Sequence, residues 1–92
     1  MESMVPPVEH PGVILKQVLK DRQVSIAELA RRTGVSTKHM SEIANGHTGF
    51  SGVLAVKMER ALGGFPKAEF WLKAQADYQI YLESQVPKDG AA

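Results

Sequence analysis

Between Ser25 and Gly46 the chain reads SIAELARRTGVSTKHMSEIANG, and its caps and stops leave room for little but two short helices meeting across a tight turn. Ser25 stands three residues before Glu28, the capping-box spacing that satisfies orphan amide donors at a helix start. Gly34 should end that helix, because the position past a helix C-terminus commonly takes a left-handed conformation that glycine adopts without steric cost. Ser36 offers a second cap two residues later, and Asn45-Gly46 closes the second helix. Helices joined this closely cross sharply. Leu29, Ala30, Val35, Met40 and Ile43 supply one apolar seam to hold the crossing.

The second helix, Thr37 to Asn45, carries Lys38, Ser41, Glu42 and Asn45 opposite that seam, with Thr37 and His39 beside them at its start. None is a large apolar residue. A short capped helix with an anchored inner face and a small polar outer face is what the DNA major groove admits, its first turn nearest the base edges. Polar helix faces in general more often just meet water. Here the cap, the glycine turn and the Asn-Gly stop all fall at helix-turn-helix spacing, which favours a recognition helix.

With 92 residues, 43% of them hydrophobic, the chain has material for one domain with a single modest core. Cysteine is absent, which excludes a disulfide framework, a thiol nucleophile and a thiolate metal site. No apolar run reaches the length of a membrane span or signal peptide, so a soluble, cytoplasmic protein is expected. The net charge of +1 conceals an uneven distribution. From His10 to Leu62 eight Lys/Arg stand against four Asp/Glu, a balance of +4, while the first nine residues carry −2 and those after Leu62 carry −1. This is a mild basic bias over the expected DNA-facing region. An enzyme is disfavoured by the lack of a phosphate-cradling glycine loop, of clustered Asp, Glu and His ligands, and of room for a deep pocket. Neither metal nor cofactor is expected.

Residues 1–9, acidic and proline-paired, are expected to form a flexible N-terminal arm. His10-Pro11-Gly12 then introduces a first helix over Val13 to Arg22, with Pro11 in a first turn that needs no amide donor and Ile14, Leu15, Val18 and Leu19 on the apolar face. His10 has no partner at metal-ligand spacing and is read as a helix-start or surface residue. Ser51 caps a fourth helix, Val53 to Leu62, which buries Leu54, Ala55, Met58, Ala61 and Leu62 before Gly63-Gly64 stops it. Pro66 opens the longest helix, Lys67 to about Gln85, and Pro87 terminates it; the folded domain is expected over 10–85, with a disordered tail at 86–92. Phe70, Trp71, Ala74 and Tyr78 form a stripe assigned to the core. Ile80, Tyr81 and Leu82 lie beyond the reach of so small a core, and predict a two-fold homodimer through the end of this helix.

With these residues assembled, the chain resembles the HigA-type antitoxins, a branch of the Xre-like helix-turn-helix regulators of toxin-antitoxin modules. The resemblance spans His10 to about Glu83 and rests on HPGVIL, on the Ser25 to Gly46 motif, and on the closing run ALGGFPKAEFWLKAQADY with its Gln-x-x-Tyr helix, the most specific of the three. It implies an all-α, five-helix, lambda-repressor-like DNA-binding domain that dimerises through its C-terminal region. Such a protein represses its own operon at a palindromic operator, which ties it to the nucleoid, and neutralises a RelE-like (HigB-type) toxin ribonuclease. A stand-alone repressor of a phage or mobile element shares all of this DNA chemistry and remains open. Two positions depart from the pattern. Ile26 stands where a glutamine often holds a phosphate, and Val13 stands where an acid usually complements the helix dipole.

The resemblance carries base reading to Thr37, Lys38, Ser41 and Glu42. A Thr37 methyl can meet a thymine methyl, Lys38 can donate to guanine O6 and N7, and Glu42 can accept from cytosine N4 or instead orient Lys38 or His39 within its own helix. Contacts to the DNA backbone are expected from Arg31, Arg32, His39, Asn45, His47 and Thr48. For the two arginines the competing reading is stabilisation of a helix C-terminus, and for His47 and Thr48 an ordinary polar loop.

Overall fold

The computed structural model describes residues 9–85, so the expected tail, and the expected arm apart from Glu9, lie outside the described residues. Five helices follow in order, α1 (Pro11–Arg22), α2 (Ile26–Thr33), α3 (Thr37–Ala44), α4 (Gly52–Ala61) and α5 (Ala68–Ser84), with no strand among the described residues. The three middle helices start on hydroxyls three residues before the amide they cap. Ser25 Oγ accepts from Glu28 N–H, Ser36 Oγ from His39 N–H and Ser51 Oγ from Leu54 N–H, each at 3.0 Å. Each such cap stabilises its helix by about 1 kcal/mol. Gly34 ends α2 in the left-handed region, at φ 78.

The helix starts differ in detail from the expectation, α4 by beginning at Gly52 rather than Val53. α1 begins at Pro11, two residues early, because His10 Nδ1 accepts the Gly12 amide at 2.8 Å and so caps it. The reciprocal arm of the capping box at α2 does not form: the Glu28 carboxylate accepts from Arg31 and Arg32, since charge-assisted bonds outcompete a neutral backbone amide. α5 has no cap from its own first residues, and Glu59 of α4 accepts the Ala68 N–H at 2.8 Å instead.

α3 packs on α1 and α2, α4 packs on α2 and α5, and α1 also meets α5. The expected seam holds the α2–α3 crossing: Leu29, Ala30, Met40 and Ile43 are buried and Val35 packs against them. Gly12 lets α1 rest directly on the end of α3, where an added Cβ would lie 2.2 Å from the Ala44 carbonyl oxygen. Trp71 is wholly buried, with its ring centroid 5.5 Å from that of Phe50, a loop residue that completes the core. Its indole Nε1 has no hydrogen-bond partner among the described residues, an orphaned donor of the kind that costs about 1–3 kcal/mol and is offset here by the area the ring buries. Of the expected core stripe only Trp71 is buried: Ala74 and Tyr78 are half-buried, and Phe70 does not join it. Adjacent helical residues point about 100° apart, so with Trp71 inward Phe70 is left 42% exposed, edge-on to the indole at 5.1 Å.

Candidate nucleic-acid interface

Met40, Ile43 and Ala44 anchor the inner side of α3, and the same geometry turns Thr37, Lys38 and Asn45 to solvent with Ser41 and Glu42 half-buried between them. The four residues expected to read bases therefore share one outer face. Lys38 Nζ stands 3.8 Å from Glu42 Oε2, one turn along the helix, with the lysine side chain 88% exposed. Exposed pairs at this spacing are worth only about 0.3–0.5 kcal/mol, so Lys38 swings readily to a stronger anionic or acceptor partner. Asn45 Nδ2 donates to Ser41 Oγ at 3.4 Å, which extends the polar surface to the end of the helix. His47 is exposed just beyond, and Thr48 is half-buried on the adjoining loop.

Each of the two arginines has a partner within the chain. Arg31 pairs with Glu28, and Arg32 Nε donates to the same carboxylate at 2.9 Å. Hydrogen bonds from Arg31 and then Arg32 hold the Glu28 carboxyl down at about 2, and the carboxylate in turn raises Arg31 above its ordinary value. Arg32 Nη1 also donates to the Ala61 carbonyl at 3.2 Å, at the end of α4 opposite its Ser51 cap. This places its guanidinium beside the C-terminus of α4, roughly 13 Å along the axis from that helix's first residue. Ile26, where a phosphate-holding glutamine is absent, packs half-buried against the core.

A further cation does not stand out in the sequence. Lys57 on α4 is exposed and takes part in none of the ion pairs among the described residues. Together with His39, Val35, Ser51 and Val53 it lines a shallow groove of about 280 Å³ between the start of α3 and the start of α4. Helix N-termini carry partial positive charge, so this flank of the recognition surface is electropositive. A lone lysine a turn and a half after a serine cap is the only sequence signal for it.

The three residues expected at a dimer interface are separated by the helix. Leu82 lines a groove of about 640 Å³ between α5 and the α3–α4 loop, shared with His10, Gln75 and Tyr78. Ile80, 65% exposed, lies two residues away and so on nearly the opposite side. Tyr81 is half-buried, its ring 6.4 Å from that of Tyr78. Among the described residues no group of three or more His, Asp or Glu side chains gathers at metal-binding distance, and no helix is long and apolar enough to cross a membrane.

Residues 15–55 match a Cro/C1-type helix-turn-helix DNA-binding domain. Virulence-associated protein A of Dichelobacter nodosus is 41% identical over 74 residues, a match covering 77% of this chain and 70% of that protein. Virulence-associated protein I of the same organism is 32% identical over 80 residues, covering 86% and 72%. Among solved structures, one from Nostoc punctiforme, named as an antidote protein of a plasmid maintenance system, is similar with a TM-score of 0.76 at 27% identity, covering 85% of this chain and 84% of its own. A Pseudomonas aeruginosa protein in complex with its 18-base-pair operator DNA gives a TM-score of 0.77 at 25% identity, covering 92% and 91%.

Proposed function

The chain belongs to the family of Virulence-associated protein A and carries a Cro/C1-type helix-turn-helix domain over residues 15–55, and on that footing we propose that it is an operator-binding antitoxin: a homodimer that represses its own operon and neutralises a RelE-like, HigB-type toxin ribonuclease. The observation that carries the DNA reading is the outer face of α3, polar and open along its length, on a helix pinned from inside by Met40 and Ile43. The operator-bound Pseudomonas protein supports it from outside, and the Nostoc antidote protein supports the antitoxin half.

In this reading α3 enters the major groove, and Thr37, Lys38, Ser41 and Glu42 face the base edges. Glu42 beside Lys38 both orients the lysine and keeps phosphate away from its end of the face. His39, Asn45, His47 and Thr48 meet the DNA backbone, joined by Lys57 and the first amides of α4. Arg31, held by Glu28, is assigned to the last turn of α2, and Arg32 to tying that turn to the end of α4. Two copies pair through the end of α5, with Tyr81 and Leu82 shielded and Ile80 at the margin, which sets the two recognition helices about one DNA turn, roughly 34 Å, apart.

Footprinting on the DNA upstream of the gene tests this directly. Two protected half-sites related by a two-fold axis are expected, with binding that weakens steeply as salt rises because phosphate contacts release counterions. Protection of one asymmetric half-site would remove the dimer, and salt-independent binding would take α3 off the DNA. Lys38→Ala is expected to lose discrimination at a single base pair by about 1–3 kcal/mol; equal losses on operator and random DNA would make Lys38 a backbone contact. The toxin arm is read at the neighbouring gene, which in this reading encodes a small RelE-like ribonuclease that the chain inhibits when added to it. Repression without inhibition of that nuclease would identify a stand-alone repressor.

A further inference from the structure

We infer that Gln75, on α5 and away from the outer face of α3, is a positioning residue for DNA binding: its side-chain amide clamps the α3–α4 loop in the register that the DNA backbone meets. The inference rests on the DNA-binding reading above and names how that surface is held.

The loop is fixed from two sides. Its first half stays on α3, with Gly46 N–H donating to the Ile43 carbonyl at 3.2 Å and His47 N–H to the Glu42 carbonyl at 2.8 Å. Its second half is held from α5. Phe50 N–H donates to Gln75 Oε1 at 2.5 Å, and Gln75 Nε2 donates to the Phe50 carbonyl at 2.9 Å. Among side chains at neutral pH, a primary amide presents a donor and an acceptor side by side to match both backbone groups of one residue, which an ionised carboxylate does not. The loop geometry is built around that amide. A Cβ on Gly49 would lie 2.3 Å from Gln75 Oε1, so the glycine is required by the clamp and by no unusual backbone angle of its own.

One turn further along α5 the same face holds a second point. The Tyr78 ring meets His10 edge-on at 4.9 Å, and His10 caps α1, which rests on Ala44 at the end of α3. Gln75 and Tyr78 together tie both ends of the segment after the recognition helix to α5. Between the two anchored halves lie Thr48 and Gly49, and on either side His47 and the Ser51-capped start of α4, the groups assigned to phosphate contact. Releasing Phe50 therefore moves those groups while leaving the α3 face and the core ring of Phe50 in place.

The test compares Gln75→Met, which keeps length and loses both hydrogen bonds, with Gln75→Glu, which keeps an acceptor for Phe50 N–H and lacks the donor for its carbonyl. Operator affinity is measured against salt at a temperature where melting curves show each variant folded. Gln75→Met is expected to bind roughly tenfold more weakly, the size of one or two neutral hydrogen bonds. Its salt slope should be shallower by about one unit, as one phosphate contact is lost. Gln75→Glu should fall between it and the unaltered chain. Unchanged affinity, or weaker binding with an unchanged slope, would overturn the inference, since a smaller folded fraction lowers affinity without altering the slope. Gly49→Ala supplies the second arm: it should weaken operator binding in the unaltered chain and add nothing to Gln75→Ala, whereas additive losses would show the two residues act independently. Failure of the unaltered chain to bind its operator at all would overturn the DNA reading itself.

Discussion

α3 and α5 are completed by different parts of the molecule. The start of α3 is closed by Ser36, one residue before it, and the α2 it crosses is closed by Ser25 and Gly34. α5 receives its cap from Glu59 on another helix, and its side chains reach to Phe50 and His10, 25 and 68 residues away in sequence. The comparison separates two jobs. The unit that presents the polar outer face of α3 is assembled from contacts within a few residues, whereas its attitude to the rest of the domain depends on a helix that contributes nothing to that face.

Removing the anchor of α5 is expected to have the largest effect. Trp71→Ala should cost about 3–5 kcal/mol in chemical denaturation, because the wholly buried ring leaves a cavity against Phe50. The loss should appear in one cooperative transition; a separate early melting of α5 would mean that α1 to α4 stand without it. Glu59→Ala strips the borrowed cap and leaves Ala68 N–H and Lys67 without their carboxylate. A loss of about 1–3 kcal/mol is expected, with hydrogen exchange accelerated first at the start of α5.

Ser36→Ala sharpens the other half of the comparison. It should cost about 1 kcal/mol and accelerate exchange at His39 while leaving exchange in α5 unchanged, since this cap serves its own helix alone. A matching change in α5 would show that the helix-turn-helix unit is less self-contained than its hydrogen bonds suggest. The smallest effect concerns Glu28, whose carboxyl is held at about 2 against an ordinary 4.5. A depressed folded value contributes stability that is present above pH 4.5 and is lost as pH falls towards 2. Melting temperatures over that window should fall less steeply for Glu28→Gln than for the unaltered chain. Identical slopes would assign the acid sensitivity to another carboxylate.

Much of this architecture is legible in the chain because helix ends and faces are written in neighbouring letters. A hydroxyl three residues before an amide, a glycine after the last turn and an apolar residue every third or fourth position are relations of at most one or two turns. They locate α1 to α5 within about two residues and put Thr37, Lys38, Ser41 and Glu42 on one face. Where the same rules misplace a residue, a competing partner has won. Glu28 has the spacing of a capping box but two guanidinium groups within reach, and Phe70 has an apolar side chain but a larger aromatic neighbour pointing inward.

What periodicity leaves open is which atoms meet once the helices have crossed. Gln75 against Phe50, Arg32 against the Ala61 carbonyl and Lys57 beside His39 join residues 25, 29 and 18 positions apart. None is announced by a local pattern, because a side chain's neighbours across a packed interface depend on crossing angle and axial offset, which the whole core settles at once. The chain's own order of residues therefore specifies a capped pair of helices with a polar outer face. Which cations are paired within the chain, and the hold on the loop beside that face, follow only from the way α4 and α5 close over it.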